Sequence, residues 1–510
     1  MKVSPRLRAA GTAALILALA ACAGGVPGHT AYAGPSGYGA SQWPPAWQDV
    51  PAQQDDDDVR FDPPSANHCH RAPTTQQVPG GRWPQLGSSY DRSEAAIAGA
   101  PAPTELPAAP ATESVARADR AARDAGDDAA AKSAGAAGVV TDEASPAPAW
   151  REPRQSLRRE RPRYAPVTAG MVDDNADFGE YLAYRERNAD LAVRDRDVSE
   201  RYLLEVTDAA GRPVHDAEVA VQRAGRAEPI AWARTDTAGR VWLHPRAFAP
   251  HGAWDRTLGI AVRKGAWQGR AVLLRGQANA VQVRLGGAAV VQHPRLDLVF
   301  LIDATGSMGD EIAKLKASMR AIANQIDRLP VRPDVCYGLV AYRDRGDTFV
   351  TRTHDFTDDL GAFQSVLGRL QASGGGDKPE ALNEALHEVV HRLSWRRDAA
   401  RMVVLVADAG PHLDYGGPQY DIDMQAALAK GIKLFTVGAS GLEPEGEYVY
   451  RQLAQYTAGR FVFLTYRDAA NPGSGPGSQT VHDVRNYSVQ TLDRLIVKLV
   501  SDELERLARS

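Results

Sequence analysis

The segment Leu298–Glu311 reads LVFLIDATGSMGDE and places oxygen-bearing side chains directly after an apolar run. Asp303 ends the run, and Thr305 and Ser307 follow it at every second position. A carboxylate and two hydroxyls with this spacing are compatible with three kinds of chemistry. These are a phosphate-binding loop, a nucleophile elbow and a site for a hard metal ion.

Two more acids occupy comparable positions far away along the chain. Asp408 follows the apolar run MVVLVA, and Asp377 lies in the loop sequence SGGGDKPE before a helical pattern. In open α/β sheets, ligands bind at the carboxyl ends of the strands, so side chains in these positions are expected to converge. We therefore predict one shared site, formed by Asp303, Thr305, Ser307, Asp377 and Asp408.

The sequence argues against the first two kinds of chemistry. A phosphate-binding loop requires GxxxxGK[ST], or GxGxxG at the start of a helix, and DATGSMGDE contains neither. A nucleophile elbow requires GxSxG, and His412 is the only histidine near a predicted strand end. Mg²⁺, in contrast, takes oxygen ligands, retains water and uses few carboxylates. The residues therefore favour a hard divalent cation, and a hydrolase with His412 as its base stays open as a weaker alternative.

Residues 292–510 show alternating strand and helix patterns. LDLVFLID, VCYGLVAYRD, MVVLVAD and IKLFTVG are runs of strand length, while GDEIAKLKASMRAIANQIDRL has helical spacing. Fully apolar strands between amphipathic helices are typical of a parallel sheet with helices on both faces. We therefore predict an α/β domain with a Rossmann-like, mostly parallel central sheet flanked by helices and closed by a C-terminal helix.

Residues 198–288 show short strands separated by turns. YLLEVTDAAGRPVHDAEVAVQRAG and ARTDTAGRVWLHP each contain alternating runs around a glycine turn. Short strands at this spacing, without helical periods, predict a small β-sandwich. The two segments resemble immunoglobulin-like or carboxypeptidase-regulatory-like modules of exported bacterial proteins. That resemblance implies a spacer or a binding platform without catalytic residues.

From about Arg295 to Leu464 the chain resembles the von Willebrand factor A (VWA) family. LVFLIDATGSM is similar to the family's first metal motif, Asp-x-Ser-x-Ser, and VVLVADAGPH is similar to the segment that supplies its last acid. The resemblance implies a metal-ion-dependent adhesion site that holds Mg²⁺, or Mn²⁺ or Ca²⁺. It also implies a protein ligand that binds through an acidic or other oxygen-donor side chain. The implied metal ligands are Asp303, Thr305, Ser307 and Asp408.

The chain departs from the family in the loop that usually supplies a threonine. The family pattern there is Gly-Gly-Thr-x-Thr, whereas residues 374–377 of this chain read GGGD. Asp377 is the expected substitute oxygen ligand. It would make the site more anionic, which favours tight retention of the metal.

The first 22 residues predict export and lipidation. A positively charged start precedes an apolar run that is too short to span a bilayer comfortably, as in a secretory signal. The run ends in LAAC, which resembles the lipobox of bacterial lipoproteins and implies a lipid on Cys22. Residues 23–166 are rich in Ala, Pro, Gly, Ser and Asp and predict a disordered tether, followed by a lead-in helical segment at 167–197.

The overall composition and the other two cysteines add smaller constraints. A net charge of −4 gives no electrostatic reason to expect nucleic acid as a partner. Cys336 lies in the apolar run VCYGLVAY and is expected to be a buried thiol, while Cys69 lies in a polar HCH sequence. We therefore expect no disulfide framework. Residues 345–347 spell RGD, an adhesion tripeptide that we interpret as a turn after a strand.

These observations favour a metal-dependent protein-binding module and not an enzyme. The expected location is the bacterial cell envelope, with the lipid on Cys22 anchoring the protein to the outer membrane, facing the periplasm or the surface. The alternative is an envelope assembly or scaffolding lipoprotein in which the metal is structural.

Overall fold

The computed structural model of the protein describes residues 69, 71, 73–80, 166–223, 229–248, 256–287, 293–376 and 378–508. The predicted export signal with Cys22, most of the predicted tether and the candidate ligand Asp377 lie outside these residues. Across the described ranges, no helix is both long enough and apolar enough to cross a bilayer.

The elements of the described residues are named here in chain order. The strands are β1 (Thr75–Pro79), β2 (Thr168–Val172), β3 (Tyr202–Thr207), β4 (Glu218–Arg223), β5 (Pro229–Arg234), β6 (Arg240–Leu243), β7 (Thr257–Lys264), β8 (Trp267–Leu274), β9 (Val281–Arg284), β10 (Arg295–Asp303), β11 (Asp334–Tyr342), β12 (Phe349–Thr357), β13 (Ala399–Ala407), β14 (Ile432–Gly438), β15 (Phe461–Asp468), β16 (Asn471–Pro476) and β17 (Gln490–Thr491). The helices are α1 (Phe178–Arg187), α2 (Pro245–Phe248), α3 (Gly309–Ile326), α4 (Leu360–Arg369), α5 (Leu382–His391), α6 (Tyr420–Ala429), α7 (Pro444–Tyr456) and α8 (Leu492–Leu507).

A mixed sheet forms the centre of the α/β part. Its strand order is β1-β12-β11-β10-β13-β14-β15-β2-β17, and β16 pairs with β15. The inner strands β11, β10, β13, β14 and β15 run parallel. The strands at both margins pair antiparallel. The predicted α/β class with a parallel central sheet is confirmed, and the antiparallel margins make the whole sheet mixed.

Strand β10 shows why a continuous apolar run predicts a central strand. Leu298 and Phe300 belong to the core that packs against α3, α4 and α8. Val299 and Leu301 point to the other face and pack in the core under α5, α6 and α7. Because helices cover both faces, both sets of alternating positions must be apolar. The strand therefore delivers Asp303 from a buried path straight to its carboxyl end.

The segment predicted as a β-sandwich forms two small sheets, β6-β3-β9 and β5-β4-β7-β8. Its two TDxAGR sequences make the same kind of turn. Asp208 Oδ1 accepts hydrogen bonds from the backbone N–H groups of Ala210 and Arg212, at 2.8 and 2.9 Å. Asp236 repeats this pattern with the residues two and four positions later. In the second turn, Gly239 has a φ of 68°, a conformation that favours glycine.

Buried ion pairs hold this sandwich at the amino ends of the parallel strands. Arg401 in β13 donates from both terminal nitrogens to Asp216, at 2.8 and 3.2 Å. Lys433 in β14 donates to Asp236 at 3.0 Å and to Glu503 of α8 at 2.9 Å. The sandwich therefore contacts the end of the sheet that lies opposite to Asp303.

Part of the predicted tether belongs to the fold instead. Strand β1 pairs antiparallel with β12, with Thr75 opposite His354. Just before it, Cys69 forms a disulfide with Cys336 of β11, with the two Cα atoms 6.1 Å apart. The expectation of no disulfide was therefore wrong. The partners are 267 residues apart, so no local spacing in the sequence indicates the pairing.

The segment predicted as a lead-in helix also contains a strand. β2 lies between β15 and β17 and extends the central sheet beyond its parallel part. The following helix α1 buries Tyr181 and Tyr184. Five residues of TAGMV are too short a run to show a period, so the sequence alone did not separate strand from helix.

Candidate metal centre

The predicted oxygen donors of two separate strand ends meet at the carboxyl edge of the sheet. Asp303 ends β10, and its Oδ1 accepts hydrogen bonds from the N–H of Thr305 at 2.8 Å and from its hydroxyl at 2.7 Å. The hydroxyls of Thr305 and Ser307 are 3.0 Å apart. Ser307 Oγ donates to Asp408 Oδ1 at 3.1 Å. The structure thus brings together four of the five predicted donors, and Asp377 lies outside the described residues.

Glycines allow the surrounding loops to approach this cluster closely. The N–H of Gly306 donates to the carbonyl of Gly374 at 2.7 Å, and a Cβ on Gly306 would lie 2.8 Å from that oxygen. Gly375 has a φ of 64°, and a Cβ there would lie 2.9 Å from the Cβ of Thr305. The GGG loop therefore lies with its backbone against Thr305, and a side chain at either contact position would push it away.

Glu380 is a member of the centre that the sequence reasoning did not identify. A Cβ on Gly375 would lie 2.8 Å from Glu380 Oε1, which places this carboxylate beside Thr305. Glu380 is 2% exposed, and within the described residues its Oε2 has no hydrogen-bond partner. The signal was present, because Glu380 follows Asp377 by three residues in GGGDKPE, but its side chain was not expected to turn inward.

The centre carries more negative charge than the nearby cations balance. Burial raises the pKa of the Asp303 carboxyl to about 7, with hydrogen bonds from Thr305 lowering it and the charge of Asp408 raising it. Burial raises the pKa of Glu380 to about 9, and the neighbouring carboxylates of Asp303, Asp344 and Asp408 add to this shift. Lys378 is 3.7 Å from Asp408 Oδ2. Asp303 Oδ2 is buried and accepts no hydrogen bond from the described part of the chain.

This donor set fits a hard divalent cation. The site offers carboxylate and hydroxyl oxygens, which are the ligands that Mg²⁺, Mn²⁺ and Ca²⁺ prefer. Two of its buried carboxylate oxygens, on Asp303 and Glu380, have no partner among the described residues. Buried oxygens of this kind need a proton or a cation. The residues that would hold the ion are Asp303, Thr305, Ser307 and Asp408, with Glu380 beside them.

The RGD tripeptide at the rim of the centre is used internally. Arg345 donates to Glu384 Oε1 at 3.0 and 2.7 Å and lies over the ring of Tyr415. Asp347 Oδ2 accepts a hydrogen bond from the N–H of Gly375 at 2.8 Å. Gly346 has a φ of 97°. The tripeptide therefore forms a turn that supports the glycine loop, in agreement with its interpretation from the sequence.

His412 also lies at this rim, in contact with other acids. Its Nε2 is 2.8 Å from Asp344 Oδ1, and its Nδ1 is 3.6 Å from Asp414. The backbone N–H of His412 donates to the backbone carbonyl of Glu380. The imidazole thus contacts Asp344 at hydrogen-bond distance through Nε2, while its Nδ1 faces Asp414 at a longer distance.

Residues 297–470 match the model of the von Willebrand factor type A domain family. The von Willebrand factor A domain-containing protein 7 of Mus musculus is 40% identical over 93 residues, which are 18% of this chain and 10% of that protein. The alpha-protein kinase vwkA of Dictyostelium discoideum is 26% identical over 133 residues, which are 26% of this chain and 21% of that protein. The solved structure of the conserved hypothetical protein BatB from Bacteroides thetaiotaomicron covers 42% of this chain and 100% of its own, with 16% identity and a TM-score of 0.29.

The family match includes the residues that build the centre. Asp303 and Asp408 both fall within 297–470, and so does the glycine loop. The chain spans at most about a fifth of the length of these two relatives, so the kinase activity in one name says nothing about this protein. Domains of the matched family are generally non-catalytic modules for protein interaction.

Proposed function

We propose that the von Willebrand factor type A domain of this chain, at residues 297–470, binds a protein partner through a divalent cation held at the Asp303 centre. Mg²⁺ is the proposed ion, with Mn²⁺ as its closest substitute. When bound, the cation would supply a positively charged centre that accepts an oxygen ligand from the partner. An acidic side chain is the expected ligand, because a carboxylate is the oxygen donor that best complements that charge.

One observation carries the proposal. Four oxygen-bearing side chains from the ends of β10 and β13 form a chain of contacts of 2.7 to 3.1 Å, from Asp303 through Ser307 to Asp408. Buried carboxylate oxygens beside this chain have no donor among the described residues. If the cluster only capped the helix, its buried carboxylate oxygens would be expected to have hydrogen-bond donors.

The residues of the chain have distinct parts in this proposal. Asp303 is fully buried and supplies a carboxylate from the end of the strand. Ser307 is exposed and lies where the site meets solvent, so an ion there is accessible to a partner. Lys378 donates to the carbonyl of Asp408 at 2.7 Å and orients this strand end. These residues would therefore hold an ion between the two strand ends, with Ser307 on the solvent-facing side.

The same arrangement argues for binding over catalysis. His412 is linked to the centre by its backbone N–H, which donates to the carbonyl of Glu380, and Asp344 engages the Nε2 of its imidazole. A general base must reach the proton that it removes within about 2.6–3.2 Å. Turnover of a phosphoester or peptide substrate that disappeared on His412→Ala would contradict the binding proposal and favour a hydrolase.

The proposed location is the bacterial cell envelope, with the protein anchored to the outer membrane through lipidated Cys22. The signal-like start and the LAAC sequence support this. The disulfide between Cys69 and Cys336 gives independent support, since such bonds persist in oxidising compartments such as the periplasm. Labelling with a radioactive fatty acid tests it: the wild type should take up label and Cys22→Ala should not.

Calorimetric titration tests the metal dependence. Chelator-treated protein should bind one equivalent of Mg²⁺ or Mn²⁺, and Asp303→Ala should abolish this binding. Asp190→Ala is the matched control, because it removes an exposed aspartate that follows α1. Equal absence of binding in the wild type and Asp303→Ala would end the proposal. Affinity capture from the native envelope, with and without chelator, then identifies the partner.

A second function has one observation in its favour. The centre contains more carboxylates than a metal with a labile ligand position needs, because Glu380 adds to Asp303 and Asp408. Such a site retains its ion tightly and suits an assembly or scaffolding lipoprotein with a structural metal. Chelation that lowers the melting temperature but leaves partner capture intact would favour this second function.

A further inference from the structure

A second group of metal-binding side chains lies between two helices on one face of the sheet. Helix α5 carries His387 and His391 four residues apart, so both imidazoles lie on the same side of the helix. Asp423 in the first turn of α6 faces them. Its Oδ1 is 3.2 Å from His387 Nδ1 and 2.9 Å from His391 Nε2. The two imidazole rings are 4.4 Å apart, centre to centre.

The distances among these donors suit a single ion. One ligand atom from each of the three residues lies within 4.8 Å of the others. In a tetrahedral zinc site with ligands 2.0–2.1 Å from the metal, ligand atoms are about 3.4 Å apart. The present separations of 2.9 and 3.2 Å from Asp423 are close to this value. The three ligand atoms are therefore close enough together to share one metal.

Hydrogen bonding alone does not account for the arrangement. Both imidazoles converge on the same oxygen of Asp423, and its Oδ2 is buried without a partner in the described residues. Asp423 is 2% exposed. If two His–Asp hydrogen bonds were the purpose of the cluster, each carboxylate oxygen would be expected to accept one. Within the described residues, this oxygen instead lacks the hydrogen-bond donor or cation that a buried carboxylate needs.

One cation lies near this cluster. Lys430 donates to the carbonyl of Val390 at 2.7 Å, so its ammonium is bound near the end of α5.

We infer that His387, His391 and Asp423 form a second metal site, which binds a divalent transition-metal ion of the zinc type. Imidazole nitrogen suits Zn²⁺ and its neighbours in the series, whereas the all-oxygen Asp303 centre suits Mg²⁺. The histidine side chains are 24% and 19% exposed, so water or a partner side chain can complete the coordination. The inference does not depend on the proposed function of the Asp303 centre.

The second site is separate from the first. Helix α5 begins at Leu382, directly after the loop that contains Glu380, and the two histidines lie in its second half. A rise of 1.5 Å per residue puts them roughly 7–13 Å further along the helix axis. Zinc binding can therefore be assigned to one site or the other by substitution.

The test uses Co²⁺ as a spectroscopic probe for Zn²⁺, added to the chelator-treated full chain in excess Mg²⁺. The wild type should bind one equivalent of Co²⁺ with the visible absorption of a four-coordinate site, and Zn²⁺ should displace it. His391→Gln and His387→Gln should each weaken this binding at least tenfold. His293→Gln, which removes an exposed histidine, and Asp303→Ala should leave it unchanged.

Three outcomes would overturn the inference. They are no Co²⁺ or Zn²⁺ binding by the wild type in excess Mg²⁺, unchanged binding in both histidine variants, and loss of binding in Asp303→Ala alone. Thermal unfolding of each variant without metal shows whether it is folded. If His391→Gln fails to fold, His387→Gln gives the answer, because its more exposed side chain contributes less to packing.

Discussion

The two ends of the central sheet hold buried carboxylates in opposite electrostatic surroundings. At the amino end, Asp216 contacts Arg401, Arg234 and Lys264. Burial raises its pKa, but these three cations hold the pKa well below its usual range. At the carboxyl end, burial raises the pKa of Asp303 to about 7, and no cation offsets that shift among its principal causes.

The difference shows that burial alone does not give a carboxylate its role. Where the chain supplies the counter-charge, as with Arg401, the acid fixes one structural unit against another. Where the described residues in contact with the acid are hydroxyls and further acids, as around Asp303, the missing positive charge must come from a proton or an ion. The following predictions test this contrast, and the largest expected effect comes first.

Arg401→Met should strongly destabilise the protein. Both partners of the Asp216–Arg401 pair are buried, with 3% and 1% of their side chains exposed. Arg401→Met removes the cation with the largest effect on Asp216 and leaves this carboxylate with Arg234 and Lys264, so the cost should approach that of breaking a buried pair, about 3–5 kcal/mol. Urea unfolding measures this loss. Lys498→Met is the control, because it breaks an exposed pair with Asp502 and should change the free energy of unfolding by less than about 1 kcal/mol. Similar losses of stability in both variants would contradict the structural role given to the Asp216–Arg401 pair.

The metal-free protein should lose stability as the pH rises. Asp303 and Glu380 have folded-state pKa values raised to about 7 and about 9, above the values of an unfolded chain. The folded state therefore holds protons more tightly, and this stabilisation is complete below about pH 4 and declines as the pH passes through 7 and then 9. Between pH 5 and pH 9, Asp303 alone should lower the free energy of unfolding by about 3 kcal/mol.

Urea unfolding between pH 5 and pH 9, in chelator, measures this dependence. Asp303→Asn isolates the contribution of Asp303 from histidines that titrate in the same range, because it should flatten the part of the decline below pH 7. Excess Mg²⁺ should also reduce the decline. A metal-free wild type whose stability is constant or rises relative to Asp303→Asn over this range would contradict the account.

The same contrast separates what the sequence could and could not predict. Asp303 and Asp408 were identified because each follows an apolar run directly, and the carboxyl ends of parallel strands share one edge. This argument needs only local sequence and one general rule of topology. It also gave the parallel centre of the sheet and the turns of the sandwich, since each depends on a local pattern.

Long-range pairings were missed for the complementary reason. Glu380 reaches the centre because glycines let its loop fold inward, and Asp216 meets Arg401 from 185 residues away. Cys69 and Cys336 are joined across 267 residues. Neither distance nor direction between such residues is encoded in a window of neighbouring positions. They follow from the packing of whole elements, which a single sequence does not display.

Glu380→Gln should have opposite effects on stability and on metal affinity. Without metal, the folded protein must keep Glu380 protonated at pH 8, which costs free energy that glutamine does not cost, so the substitution should stabilise the protein by about 1–2 kcal/mol. Mg²⁺ should then bind about tenfold more weakly. Glu384→Gln is the matched control in the same region. Its carboxylate is paired with Arg345 at 2.7 Å and is fully buried, so its loss should destabilise the protein.

The sign of the change is the decisive observation in this pair of variants. Chelator-treated protein unfolded in urea gives both free energies under the same conditions. If Glu380→Gln destabilises the protein as Glu384→Gln does, Glu380 has a counter-charge of its own and does not belong to the anionic centre.

Ser307→Ala should have the smallest effect on stability of these variants and a clear effect on metal affinity. Ser307 is exposed, and among the described residues its hydroxyl bonds to Thr305 and Asp408 of the centre. Its loss should therefore change the free energy of unfolding by less than about 1 kcal/mol. As a direct ligand, however, it should be needed for tight Mg²⁺ binding, and calorimetry should show an affinity at least tenfold lower.

Ser501→Ala is the control, because Ser501 also donates to a carboxylate, that of Glu505, at 3.3 Å. If both serine variants bind Mg²⁺ like the wild type, the Ser307 hydroxyl only organises the loop, and the carboxylates of the centre hold the ion without it.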